Sequence, residues 1–597
     1  MYRQVLDPVA DSLGWSSLFA ALPLAALFVL LGVLRMRAWV AALLSLLVAI
    51  IVAVFVYPMP FGQAALAATE GAAFGFFPIL WIVINAIWIY NMTVESGHFD
   101  VLRRSFTSVS DDQRIQAVII AFCFGALLEA LAGFGTPVAI SSVMLIALGF
   151  RPLKAAVLAL VANTAPVAFG ALATPIVTLA TVSALPQDDL GAMVGRQTPL
   201  LALFVPLILV FIVDRKNGIR DTWPAAVVCG VAFAIVQFVA SNYISVPLTD
   251  ILASLLSAGA VVLLLRVWQP AHTYVEQEVE EPVSVGGNVA TAGRTGAADG
   301  LTTTPATTGD PGTGGTRGTR GDRRDVPRRH GSVDEPVGVL PGRAAVPDVP
   351  DSRAEIARAY APYLIIVAVF VVAQLPGIKP LIAKTTHIFA WPGLHLASAS
   401  GKPSTIPNFT FNWLATGGTL LLIAGLISIP VLKLSLGQAW RAYVTTYKQL
   451  WTAIVTVMAV LALAYVMNAS GQTATLGNWM AGAGGAFAAL SPIIGWLGVA
   501  VTGSDTSSNS LFGALQVTAA GKAGLDSVLM AASNSSGGVL GKMVSPQNLA
   551  IAAAAVGMAG REGDVFRRVF GWSLFLLAIM VVIVVLQSTA VLGWMVV

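Results

Sequence analysis

Apolar runs long enough to be single helices, separated by short charged or Gly- and Pro-rich stretches, recur along almost the whole chain. A helix rises about 1.5 Å per residue, so about 20 apolar residues cross the roughly 30 Å hydrocarbon layer of a bilayer. Such runs lie at 18–34, 38–57, 76–92, 115–131, 200–213, 225–240 and 251–267, then at 363–375, 414–431, 451–467, 493–502 and 569–592. Arg35 and Arg37 stop the first run. Asp7 and Asp11 offset Arg3 before it and no Ala-x-Ala pattern follows, so it reads as a retained helix rather than a cleaved leader. The last run carries no charge, and Trp572 and Trp594 bracket it. Their spacing corresponds to about 33 Å of helix, the distance between two interfacial aromatic belts.

The stretches 132–184 and 471–558 are apolar too, but dense in Gly, Pro, Thr, Ser and Asn. Counted as a mixture of full and partial spans, they bring the total to roughly 12–14 crossings. The expected fold is all-α: a polytopic membrane protein with broken or re-entrant helices. The pattern stops between 270 and 356, where Gly, Thr, Pro, Arg and Asp dominate and no aromatic residue occurs from Val275 to Ala359. That segment is expected to be a disordered linker between a first transmembrane half, 1–269, and a second, 357–597. Its arginines Arg323, Arg324, Arg328 and Arg329 place it in the cytoplasm, where the Arg-Gly-Asp at 320–322 has no adhesive role. The loops with Arg35, Arg37, Arg103, Arg104, Arg114, Arg215, Lys216, Arg220, Lys433, Arg441 and Lys448 fit the same side, with both termini outside. The loop with Lys379, Lys384 and Lys402 would then face out, against the rule.

Composition narrows the function. Hydrophobic residues make up 56% of the chain and charged residues 11%, with a mean hydropathy of +0.80. Soluble domains carry about 25% charged residues. The net charge of +4 belongs to the loops and gives no reason to expect a nucleic-acid partner. Cys123 and Cys229 sit inside apolar runs and read as small buried side chains, too few for a metal site. No His-Glu-x-x-His, paired Asp-rich motif, Gly-x-Ser-x-Gly or P-loop is present, so no cofactor, metal or enzymatic chemistry is expected. The five histidines all read as loop residues, which leaves no buried relay.

The two polar-rich stretches match each other. Asn163, Gly170, Thr174 and Pro175 have the spacing of Asn534, Gly541, Ser545 and Pro546. Ahead of each Asn lies a second patch, GFGTP at 133–137 and GSDTSSN at 503–509. Counting crossings from the nearest basic loops, the two patches are entered from opposite sides, as in the inverted repeats of secondary transporters. Broken backbone at membrane depth is tolerated only inside protein or at a water-filled cavity. Helix N-termini at such breaks offer N–H groups and partial positive charge, which suits a small carboxylate. Close helix packing explains an isolated Gly-rich span equally well. Two paired stretches, each with an Asn and a Thr-Pro or Ser-Pro break, favour a binding site.

The runs LLEALAGFGTPVAI (127–140), NTAPVAFGALATPI (163–176), GSDTSSNSLFGALQ (503–516) and NSSGGVLGKMVSPQ (534–547) resemble those of the bacterial L-lactate permease family. The resemblance covers nearly all the chain outside the linker, which is longer than usual. It implies proton-coupled uptake of L-lactate, and of related 2-hydroxy acids such as glycolate and D-lactate, across the plasma membrane. It also implies kinship with the ion-transporter superfamily, which pairs re-entrant hairpins across an inverted repeat. A sodium-coupled carrier of another small organic anion and an anion channel remain as alternatives, and oligomeric state is not readable.

Charges inside spans are costly and usually functional. Glu129 and Asp505 are therefore the proton-coupling candidates, with Glu70 a weaker one near the membrane surface. Lys542 is the candidate substrate cation, whereas Lys522 and Asp526 flank a turn. Substrate donors are expected from Gly135, Thr136, Asn163 and Thr174 in the first half. In the second half they are Ser504, Thr506, Ser507, Asn509, Asn534, Ser535, Ser536, Ser545 and Gln547.

Overall fold

The computed structural model describes residues 1–133, 135–276, 351–401, 403–404 and 406–597. Phe134, Lys402, His330 and the linker arginines and Arg-Gly-Asp lie outside the described residues. Among the described residues, ten helices are long and apolar enough to cross a bilayer, or eleven when a bent pair is joined. The strands are two to four residues long, and the protein is a helical, polytopic membrane protein. The larger sequence-based count included partial spans, which the structure shows as short broken helices, and counted separately the runs 200–213 and 225–240, which fall in one of the ten.

One of the ten, Gln187–Ile244, is 58 residues long. At Asp214 and Arg215 (φ 49) the backbone leaves the helical region. Beyond that point Gly230 packs on the Leu203 carbonyl, and Asn242 Nδ2 donates to the Ala192 carbonyl at 3.3 Å. The run is a hairpin. The last helix, Glu562–Gln587, ends short of Trp594, which sits on a separate turn, Gly593–Met595. Ser588 and Thr589 hydroxyls bond the carbonyls of Val585 and Leu586 there, offering the backbone an alternative to further helix.

The basic loops converge on one end of the bundle. Arg441 lies 3.6 Å from Glu95 and Arg104 lies 2.6 Å from Asp351. Buried Arg114 gathers Asp112 (2.8 Å), Asp221 (3.0 Å) and Asp214 (3.3 Å), which its planar fork of five donors allows. Its guanidinium also donates to the His272 carbonyl at 2.5 Å, and Lys154 meets Glu276 at 2.7 Å. Residues 272–276, expected within the linker, are thus tied to the bundle. On the far side of the linker, a Ser352–Glu355 capping box starts helix Arg353–Gln374 inside the expected bound.

Helix Leu436–Ser470 runs from Arg441 at the basic end to Asn468 and Ala469, whose carbonyls accept from Gln4. Strand Tyr2–Arg3 pairs in parallel with Leu396–Ala397. The N-terminal residues and the segment that follows Lys379 and Lys384 therefore share the end away from the basic cluster.

Two regions interrupt their helices in the same order. In the first, helix Gly125–Leu131 meets a break with Gly133 (φ 52) and Gly135 (φ 83), followed by Thr136–Ala147, a turn, Pro152–Ala162, a second break, and Gly170–Ser183. In the second, Phe487–Thr502 ends on Gly503 (φ 75), followed by Asp505–Ala523, a turn at Gly524, Ser527–Gly541, a break through Lys542–Val544, and Pro546–Ala555. Glycine supplies these left-handed conformations without the steric cost a Cβ brings. The regions pack on each other: Gly513 lies on Leu179 and Val182, and Gly135 on Ile551.

Candidate functional site

Glu129 sits one turn before Gly133, at the end of a helix that is buried all round. Lys542 begins the break after Ser527–Gly541, in the other half of the chain. The two breaks bring them together: Lys542 Nζ donates to Glu129 Oε1 at 2.5 Å, and Asn163 Nδ2 donates to Oε2 at 2.9 Å. All three side chains are buried. Gly170 makes room for the carboxylate, since a Cβ there would lie 2.8 Å from Oε1. Removing one partner of a buried ion pair costs about 3–5 kcal/mol, because the other charge is left uncompensated.

Asp505 heads the helix after Gly503. Ser535 Oγ donates to its Oδ2 at 2.6 Å and Asn509 Nδ2 approaches the same oxygen at 3.5 Å, while buried Oδ1 has no partner. Lys542 lies within electrostatic range of Asp505 as well. Asn509 Oδ1 accepts from Asn534 Nδ2 at 2.9 Å, and Asn534 Oδ1 accepts from Gln516 at 3.0 Å. Asn509 Nδ2 also reaches the Pro175 carbonyl at 3.1 Å, so this network too spans both halves.

Other candidates divide by what their polar atoms do. Ser504 and Ser545 cap helices, accepting from the backbone N–H of Ser507 and Asn548, and Thr174 Oγ1 donates to the Ala171 carbonyl at 2.6 Å. The Thr506 carbonyl accepts from Ser510 within its own helix. Ser536 Oγ and Asn163 Oδ1 are buried with no protein partner. Thr136 is half-buried beside Gly135, and Gln547 is exposed, covering Gly503.

Glu70, the weaker coupling candidate, is buried in the protein, with Oε2 unpartnered. Two groups differ from, or were missed by, the sequence reading. Among the described histidines none is buried, but His98 opens a helix and His387 lies on a strand rather than in a loop. Asn548, Gln516 and Asp250 were missed. Asn548 donates to Ser545 at 2.8 Å and to the Gly503 carbonyl at 3.4 Å, joining the two second-half breaks. It follows Ser-Pro-Gln directly, and Asp250 directly precedes an apolar run; those were the available signals.

The sequence profile of the L-lactate permease family matches residues 16–295 and 344–591. Over its full length the chain is similar to the glycolate permease GlcA of Escherichia coli (strain K12), at 39% identity and 99% of that protein. It is 37% identical to the L-lactate permeases of Bacillus subtilis (strain 168) and Escherichia coli (strain K12), each matched over 100% of both chains.

Proposed function

Because the chain belongs to the L-lactate permease family, whose members are multi-pass carriers of the bacterial plasma membrane and not enzymes, we propose that it takes up L-lactate with one proton per monoanion. Glycolate and D-lactate are the related substrates, sharing the carboxylate and the 2-hydroxyl.

The Lys542–Glu129 pair carries this reading. A substrate carboxylate fits the same ammonium that Glu129 occupies. When lactate takes Lys542, Glu129 is left buried without its cation, and an isolated buried charge takes up a proton rather than persist. Proton and anion then arrive as one neutral load. This matters because a potential negative inside opposes a lone monoanion by about 2.3 kcal/mol per 100 mV. Asp505 has no ion pair among the described residues, so lactate at Lys542 uncovers no charge there, and coupling falls to Glu129. Asn163, Asn509, Asn534, Ser535 and Ser536 supply the hydrogen bonds around the substrate. We read the matched breaks as an inverted repeat, with the site between the halves 1–269 and 357–597.

The test is uptake of labelled lactate into proteoliposomes with proton and sodium gradients imposed separately. An acid exterior is expected to drive accumulation above the equilibrium level, with saturation and counter-exchange. Accumulation driven by sodium alone, or flux without saturation, would overturn the reading.

A further inference from the structure

Asp250 lies in the first turn of helix Thr249–Leu265 and is fully buried. Gln237 Nε2 donates to its Oδ1 at 2.9 Å, whereas Oδ2 has no partner. No ion pair reaches this carboxyl among the described residues. The same Gln237 nitrogen lies 3.3 Å from the Ala165 carbonyl, two residues past Asn163 and inside the first-half break. Gln237 Oε1 accepts from Thr198 at 3.4 Å. Two residues before Thr198 and five past Gln237, Arg196 Nε donates to Asn242 Oδ1 at 3.0 Å, and both side chains are half-buried. A bonded polar file therefore runs from Thr198 through Gln237 to Asp250 and to the Ala165 carbonyl, in the break that holds Asn163 against Glu129, and the Arg196–Asn242 pair stands next along the same two helices. Its half-buried end is away from the basic loops, because Gln237 lies some 24 Å of helix beyond Asp221.

The charges around Asp250 are few. Glu129, on the packed helix Gly125–Leu131, bears on it electrostatically. The packed helix Gly170–Ser183 has no ionisable residue, and Cys123 and Cys229 meet each other and Ser257, two turns along. Asp214, Arg215, Lys216, Arg220 and Asp221 sit at the basic end, and Tyr243 is exposed.

We propose that Asp250 is a proton-loading carboxyl that receives the proton from the end away from the basic loops and passes it to Glu129. The step balances as Asp250 carboxylic acid plus Glu129 carboxylate giving Asp250 carboxylate plus Glu129 carboxylic acid. It rests on Glu129 being the coupling group. Asp250 touches no substrate; it acts through Glu129, and so its mark is on proton delivery rather than on lactate affinity.

The test compares Asp250→Asn, Asp250→Glu and Glu129→Gln in proteoliposomes. Asp250→Asn keeps the Gln237 contact but cannot carry a proton. It is expected to retain lactate–lactate exchange within about twofold, to lose about tenfold in pH-driven initial uptake, and to flatten the dependence on outside pH. Asp250→Glu is expected to restore that dependence. A parental pH profile in Asp250→Asn, alongside an uncoupled Glu129→Gln, overturns the inference alone. Equal loss of exchange and driven uptake in Asp250→Asn also overturns it, since that marks a structural role. A fully coupled Glu129→Gln overturns the reading beneath it.

Discussion

The two broken regions share an order of elements but are built from different materials. In the second, polar side chains close the gaps: Ser504, Asp526 and Ser545 cap the helices that follow each break or turn. Asn509, Asn534 and Gln516 form a bonded row between them. In the first, the helices Thr136–Ala147, Pro152–Ala162 and Gly170–Ser183 have no side-chain cap. The chain instead makes a left-handed turn through Ala171 (φ 43), Leu172 (φ 52) and Ala173 (φ 59). Left-handed geometry costs an L-residue about 1–2 kcal/mol. The first region thus contributes a strained backbone and Glu129, and the second a capped polar frame with Asp505 and the cation Lys542. The comparison teaches that the site belongs to neither half: Glu129 has its cation only because Lys542 crosses from the other.

The largest effect should come from breaking that crossing. Lys542→Met leaves Glu129 buried and unpaired, with an expected loss of about 3–5 kcal/mol of stability and of all measurable uptake. Adding Glu129→Gln should recover the melting temperature in detergent but not the transport. Recovery of both would mean the pair only holds the halves together.

Next come the two asparagines. Asn534→Leu strands both Asn509 and Gln516, each unmet bond costing about 1–3 kcal/mol, whereas Asn163→Leu removes one of two bonds to Glu129. Both are expected to insert normally and to lose transport at least about tenfold, with the greater loss of stability at Asn534. Thermal denaturation and uptake of the two side by side check the order; wild-type kinetics in both would reduce the breaks to packing features.

Removing 277–350 should leave uptake within about a few-fold, because a sequence rich in Gly, Thr and Pro without an aromatic residue is expected to add reach rather than core. Extending the deletion back to His272 should cost clearly more, as it takes away the partners of Arg114, Asp112 and Lys154. Equal uptake by the two deletions would show that the contacts of residues 272–276 carry no weight.

The smallest effect separates the two backbones at equally buried alanines. Ala173→Gly relieves a left-handed residue but gives up a buried methyl and should leave stability within about 1 kcal/mol of the parent, whereas Ala532→Gly, in the right-handed helix Ser527–Gly541, relieves nothing and should destabilise by about 1–2 kcal/mol. Melting temperatures of the purified variants decide it.

This asymmetry also explains what the sequence made legible. Long apolar runs gave the spans, because a helix in lipid must satisfy its backbone internally and is read from hydropathy alone. The second region announced itself through Ser, Asn and Asp, the residues that close breaks with side chains. Lys542 and Glu129 stood out as charges in apolar company, but 413 residues separate them and no local pattern could pair them. The left-handed turn at 171–173 left no trace, since Ala and Leu are ordinary helix formers. Asp250 was hidden by its place at the edge of an apolar run, where an acid reads as an interfacial residue until the fold buries it.

Lactate–lactate exchange and pH-driven accumulation, measured together on Glu129→Gln, test the central claim most directly. Gln mimics the protonated acid but cannot release a proton. The variant is expected to exchange lactate at a rate near the parent's while failing to accumulate it against a gradient under an imposed pH difference. Asp505→Asn should still accumulate. Uphill accumulation by Glu129→Gln, or its loss in Asp505→Asn alone, would contradict the assignment of the coupling proton to Glu129.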